Sequence, residues 1–482
     1  MTRTTRSLLV PWPLLALPAI ASLGCDPGPS DPDAAVVDRD SPGGGETDAY
    51  VAPGEDAFVP SAGCPTFDVD DPTQISYGRN SPGDTTIDAD TTWTSDHTYF
   101  VIGSLDVQGA TLTIEAGTQV CLDAGSGSAP LIDFREGAGG TGTSRLVVNG
   151  TASEPVVFQP ATPDSAWNSI TLSSDSTASL SHLMLLGGGA GGSGVLRVDD
   201  NYPELLEASD VHLVGGAGML LALRNGGLAP GSSIYLDAQD PDATDMVMEA
   251  TPAGLATLDP SSLHVAATLP VGARFVRMTS GTIEQDVTIP GDLGLSFVFR
   301  DDVIVSRADA ASPIPTLTIE AGAEVLFDGT MLLVGGSAGL DEEGGNLVAV
   351  GTEAAPIHLG SAASAPAAGD WQGVILVSTA FEPEVTELAH VRVSDAGRDL
   401  GGVGAVLHCA TLPTPVLGAI RLRGNGFEDY EGPRMTSIAL ERSAGDGIAF
   451  ACSSTSCLLT DYSAEIMGTD IAGELLRERS CP

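Results

Sequence analysis

Thr111-Leu-Thr-Ile-Glu-Ala-Gly117 returns unchanged as Thr316-Leu-Thr-Ile-Glu-Ala-Gly322. Around each copy the surrounding motifs keep their order. Upstream, Thr86-Ile-Asp-Ala-Asp90 and Trp93 correspond to Thr282-Ile-Glu-Gln-Asp286 and Ile289. Downstream, Leu146-Val-Val-Asn-Gly-Thr-Ala-Ser-Glu-Pro155 corresponds to Leu347-Val-Ala-Val-Gly-Thr-Glu-Ala-Ala-Pro356, Trp167 to Trp371, and Leu180-Ser-His182 to Leu388-Ala-His390. The offset runs from 196 residues at Thr86 to 208 at His182, so length changes fall between the motifs. A short unit repeated in fixed order, with variable loops, is the mark of a duplicated repeat architecture.

A solenoid of this length needs no division into globular domains, because each coil buries its core against the next. The 59 glycines and 32 prolines, with 5% aromatic residues, suit many short strands closed by tight turns. Acidic residues number 64 against 20 basic ones, for a formal charge of −44, and every basic residue is Arg. Such a surface repels nucleic acid and anionic lipid. The missing lysine also excludes a Gly-x-x-x-x-Gly-Lys phosphate loop.

Residues 1–24 read as an export signal, with Arg3 and Arg6 ahead of an apolar stretch, Leu8 to Ala21, too short to span a bilayer. Ala19-Ile-Ala21 suits ordinary signal peptidase; Ser22-Leu-Gly-Cys25 resembles a bacterial lipobox, although Ser22 and Leu23 stand where Leu and a small residue are favoured. The chain holds seven cysteines, and lipidation of Cys25 leaves six to pair. Residues 25–63 are rich in Asp, Pro, Gly and Ala and cannot bury enough surface to fold, which makes them a tether. The expectation is an exported lipoprotein, held by the lipid on Cys25 at the outer membrane or cell surface.

The body reads as a short cap segment, 64–85, a first copy with the join, 86–281, and a second copy with its C-terminal cap, 282–482. Strands of four to six residues alternate, placing Leu112 and Ile114, then Val120 and Leu122, on one face. Tandem immunoglobulin-type sandwiches would also give short alternating strands. Ser209-Asp-Val-His-Leu-Val-Gly-Gly-Ala-Gly218 and Ser437-Ile-Ala-Leu-Glu-Arg-Ser-Ala-Gly-Asp-Gly447 instead read as strand, glycine-rich corner, strand. That wording fits one turn of a right-handed parallel β-helix. Asp237 to Asp245 and Ala250 to Asp259 read as loops at the join. Residues 86–455 resemble bacterial β-helix repeat proteins of the pectin-lyase-like superfamily, through Trp93, Thr111–Thr118, Leu146–Val156 and Gly369-Asp-Trp-Gln-Gly373. The resemblance implies an all-β, right-handed parallel β-helix of about 14 to 18 coils and names no activity.

Enzymes of this fold set the test for chemistry. A lyase needs carboxylates around Ca²⁺ and a basic residue to take a proton; a glycosidase needs paired carboxylates with Arg and His nearby. Neither pattern stands in the sequence as a motif, and no catalytic residue, metal site or cofactor is assigned, Ca²⁺ remaining the one candidate ion. His182 and His390 fall at equivalent strand starts and read as corner residues. Trp167 and Trp371 read as packing, with a sugar-stacking platform as the alternative. Arg421 and Arg423 share a strand face and are the candidate ligand-contacting cations. Cysteine placement suggests Cys64–Cys121, Cys409–Cys452 and Cys457–Cys481 pairs. The expected function is a non-catalytic envelope or cell-surface scaffold that binds glycan or protein, with a Ca²⁺-assisted polysaccharide lyase or glycoside hydrolase as the alternative.

Overall fold

The computed structural model describes residues 63–480, apart from 80, 82, 124–128, 138–141, 164, 166, 174–175, 200–204, 217, 238–245, 267–268, 270–273, 280, 336–343, 378–383, 399–416, 424–431 and 453–461. The expected signal, Cys25 and most of the expected tether therefore lie outside the described residues, as do Cys409, Cys457, Cys481 and residues 238–245 of the expected join loop. Cys452 ends a strand whose C-terminal side chains are not described.

The body is a parallel β-helix. Among the described residues its strands form one sheet of 14, one of 11, one of 7 and one of 5, and every named pairing is parallel between successive coils. The 14-stranded sheet, here the long sheet, runs from Thr86–Ile87 to Ile466–Thr469 and passes through both copies. Its thirteen inter-strand steps span about 62 Å at roughly 4.8 Å each. The core is one apolar column in which Leu112, Leu146, Leu317 and Leu347 stack in register with their neighbours.

The repeated motifs are the corners of the coil. Gly117 and Gly322 close the Leu-Thr-Ile-Glu-Ala-Gly turn with φ of 76° and 84°, a conformation that excludes most side chains. Their amides donate to Glu154 O at 2.9 Å and Ala355 O at 3.0 Å. The same geometry explains the upstream echo: Asp90 and Asp286 each accept from the amide that opens the next coil, Thr111 N at 2.8 Å and Thr316 N at 2.9 Å. Thr151 and Thr352 cap the following turn, their hydroxyls accepting from Glu154 N and Ala355 N.

Strand order extends the duplication further upstream than the motifs do. Gln74–Tyr77 corresponds to Phe275–Met278, and the strands that follow correspond one by one, with Ser176–Leu186 divided in the second copy into Glu387–Ala389 and Val391–Ser394. Gln74–Tyr77 heads the 11-stranded sheet, whereas Phe275–Met278 pairs with Met248–Ala250 in the long sheet. The second copy is thus stacked on the first with its faces advanced by one. At this join, Ala250 to Asp259 is not simply loop: Thr251 caps a short helix, Pro252–Ala256, by accepting from Gly254 N, with Pro252 at the first helical position.

Near the N-terminus, Cys64 and Cys121 form a disulfide, Cα–Cα 5.8 Å. Cys121 faces outward from its strand and is buried there by Cys64 and Phe67, which pack with Phe100 and Ile102 in a small cluster separate from the main core.

Candidate functional site

Trp167 and Trp371 are fully buried, which removes both as sugar platforms. Each indole N–H donates at 2.7 Å to a carbonyl at the corner of the next coil, Leu186 O and Ser394 O. Trp371 also stacks on Phe327, centroids 4.3 Å apart. The long loop before each Trp lets the ring swing inward, where no sugar can reach it.

Arg421 is likewise buried, and its guanidinium donates to the carbonyls of Gly418, Gln372 and Arg398 at 3.2, 2.6 and 2.8 Å. It faces outward from its strand, but that outer face is itself covered. In register with it stand Leu333 and Ile375, which with Met331 and Val377 make a buried apolar cluster. Arg421 therefore holds backbone together and does not meet ligand. The Arg423 side chain lies outside what the structure describes.

His182 and His390 occupy corners with φ of 48° and 49°. His182 accompanies Asp210 and His212: Asp210 lies 3.8 Å from His182 Nε2 and 3.1 Å from His212 Nε2. Among the described residues no group of three His, Cys, Asp or Glu side chains is placed to hold a metal ion.

The polar chemistry concentrates on the outer face of the long sheet. Its first-copy part carries the outward ladder Asp106, Asp133, Thr171, Arg197, Ala222, Glu249, Arg277 on successive strands. Arg135 pairs with Asp106, and Ser173 donates to Asp133 at 2.9 Å. Burial pushes the Asp133 carboxyl above its ordinary range, the charges of Asp106 and Asp199 adding to the effect and Ser173 and Arg135 opposing it.

Further along, Arg197 Nε donates to Asp199 at 2.7 Å, Arg224 bridges from Asp199 at 3.9 Å to Glu249 at 2.5 Å, and Arg277 holds the other Glu249 oxygen, its Nε at 2.9 Å. The Glu249 side chain is 0% exposed, while the three arginines keep about a quarter of their surface in water. A carboxylate this buried is tolerable only because two guanidiniums neutralise and hydrogen-bond it. In return it fixes the planes of both guanidiniums.

Sequence reasoning missed this row, because Asp199, Arg224, Glu249 and Arg277 come from four successive coils. Arg197 and Arg421 sit on equivalent rungs, following Ile170 and Val374. The outward positions beside them differ between copies, with Asp106, Asp133 and Thr171 in the first and Ile304, Leu333 and Ile375 in the second. At those three positions the first copy carries two carboxylates and the second copy none.

A second network lies on the second-copy part of the long sheet. Glu324 Oε1 is 3.2 Å from His358 Nδ1, and His358 Nε2 is 3.0 Å from Ser394 Oγ. Gly360 leaves the room for this reach: a Cβ there would fall 2.8 Å from His358 Nε2. The order acid, imidazole, hydroxyl matches a hydrolase relay, but the burial is reversed. Ser394 is 1% exposed and donates to Asp395 at 2.8 Å, whereas the acid Glu324 is 43% exposed. A nucleophile sealed beneath its base cannot meet a substrate. The network ends on a corner, where Arg442 grips Asp395 with two hydrogen bonds of 2.6 and 2.8 Å. Burial would raise the Asp395 carboxyl, but the hydrogen bonds from Arg442 and Ser394 outweigh it and hold it below its ordinary range. The equivalent first-copy residues are Gln119, Val157, Leu186 and Gly187, so the coil folds without this network.

The chain matches no family model, no curated protein and no solved structure.

Proposed function

We propose that the chain is an exported, lipid-anchored β-helix of the pectin-lyase-like kind that binds a glycan along the outer face of the long sheet and does not cleave it. The observation that carries this reading is the row Arg197, Asp199, Arg224, Glu249, Arg277. Its guanidiniums are pinned by carboxylates, and Nη1 of Arg197 and of Arg277 makes no hydrogen bond among the described residues. Donors fixed in advance on a rigid sheet recognise hydroxyls at low entropic cost. Neutral sugar chains suit the row better than polyanions, since a net charge of −44 repels anionic polymers beyond the Debye length of about 8 Å. The partners this reading requires are a membrane, through the lipid on Cys25, and an envelope glycan.

Calorimetric titration with neutral oligosaccharides tests it. Arg197→Ala and Arg277→Ala are expected to weaken binding about tenfold or more, corresponding to loss of a charge-assisted hydrogen bond. Release of new reducing ends or of unsaturated sugar, abolished by Asp133→Asn, would overturn the non-catalytic reading in favour of an enzyme.

A further inference from the structure

The join between the copies shows how one β-helix of this sequence type accepts another. Ser296 N donates to Arg274 O, placing that side of the Phe275–Met278 strand against its own coil; Thr279 N donates to Ala250 O on the other side. By alternation Arg277 turns its backbone toward Met248–Ala250. The N-terminal strand repeats the first half of this pattern. Thr98 N donates to Thr73 O at 2.9 Å, so Ser76, the counterpart of Arg277, turns its carbonyl to the side where the join would supply a neighbour. Among the described residues, Gln74–Tyr77 has a strand on one side only.

That free side is occupied in another way. Three residues, 279–281, connect Phe275–Met278 to the next strand; eight, 78–85, make the corresponding connection from Gln74–Tyr77. The longer connection folds back. Gly78 N donates to Asp84 O at 2.8 Å, Ser81 Oγ donates to Ser76 Oγ at 2.7 Å, and Ser81 Oγ accepts from Gly83 N at 2.8 Å. Gly83 lies so close that a Cβ there would fall 1.9 Å from the Ser76 carbonyl oxygen. Asp84 O thus takes the place that Ala250 O has at the join, and the extra length is missing where a neighbouring strand is present.

At the opposite end, Leu476–Ser480 is the counterpart of Met248–Ala250 and, among the described residues, also has a neighbour on one side only. Register puts Leu476 at the place of Met248, and Glu478 at the place of Ala250. A charge at an end rung is a common deterrent to further pairing.

We propose that residues 78–85 are an edge guard, holding off a second copy of this chain whose Leu476–Ser480 strand would otherwise add to Gln74–Tyr77. The contact so prevented is head to tail, and a heterologous contact of that kind does not close but grows into a fibre. A duplicated solenoid is prone to it, because its own join is a working template for the next.

Sedimentation velocity of the full chain in detergent, over a wide concentration range, tests the guard. In the Gly83→Val/Glu478→Ala variant the new side chain must displace the connection from Ser76, and the variant is expected to form oligomers that lengthen with concentration while the parent does not. Adding Ser76→Pro, tolerated on an edge strand but unable to donate, returns the distribution to that of the parent. Deleting residues 79–83 in the Glu478→Ala background, which gives the connection the length it has in the second copy, reads the same outcome should Gly83→Val fail to fold. A folded variant that sediments like the parent overturns the proposal, as does a parent whose own oligomers vanish with Ser76→Pro.

Discussion

The Asp395–Arg442 pair is where single residues weigh most. Asp395 is 2% exposed and both residues adopt positive φ, 64° and 49°, at corners where the first copy has Gly187 and Gly215. Arg442→Ala would leave a buried carboxylate with Ser394 as its remaining side-chain donor. Discounting the partial exposure of Arg442, the loss is about 1–3 kcal/mol, measurable by urea denaturation. The folded Asp395 carboxyl titrates below its ordinary value, so its stabilising effect is present above the unfolded pKa and is lost as pH falls through the folded one. The stability gap between parent and Asp395→Asn is therefore expected to narrow below about pH 4; a gap that widens in acid contradicts the assignment. Nothing in the sequence announces this pair, since its members lie 47 residues apart. Asp90 and Asp286 were visible as an echo because each serves the amide at the start of the next coil. Alternation put Arg421 on an outward position but could not show that the outer face there is buried, because what covers a sheet is decided by segments distant in sequence.

Among whole elements, the stacked ladder His212, Tyr235, His264 on three successive strands carries an acid-sensitive group, His264. Ring centroids are 4.5 Å apart at both contacts. Burial, with a smaller effect from His212, depresses the His264 pKa. A base with a lowered folded pKa takes up protons more readily when unfolded, so stability falls as pH drops below the ordinary value of 6.5. His264→Phe keeps the stacking and is expected to flatten the pH dependence of thermal melting in that range; an unchanged slope would count against the ladder. Corners give a second prediction at this scale. His182 and His390 hold left-handed backbone, so His→Gly at either is expected to be neutral or to stabilise by up to about 1 kcal/mol, where His→Val costs more. A large loss with Gly would mean that the imidazole itself supports the coil. Strand identity and inward faces were legible because period-two alternation survives in both copies. The Pro252–Ala256 helix was not, because five residues give no helical period to read.

On the scale of the molecule, the proposed lipid anchor can be tested apart from the β-helix. Cys25→Ser is expected to move the protein from the detergent phase to the aqueous phase while leaving the far-UV spectrum of the β-helix intact; persistence in the detergent phase would refute the lipid assignment. The duplication was readable because corners tolerate few residues and so preserve their wording. The advance of one face at the join was not, since it depends on which sheet receives Phe275–Met278, and no local motif encodes that choice. The central claim is that both copies form one continuous solenoid through this join. Spin labels at Asp106 and Val298, on one outward ladder and seven inter-strand steps apart, span it. A pulsed dipolar measurement is expected to give a single narrow distribution centred near 34 Å, from seven steps of about 4.8 Å. A broad distribution, or a mean displaced by more than the reach of the labels, would show two separately folded halves and contradict the continuous long sheet.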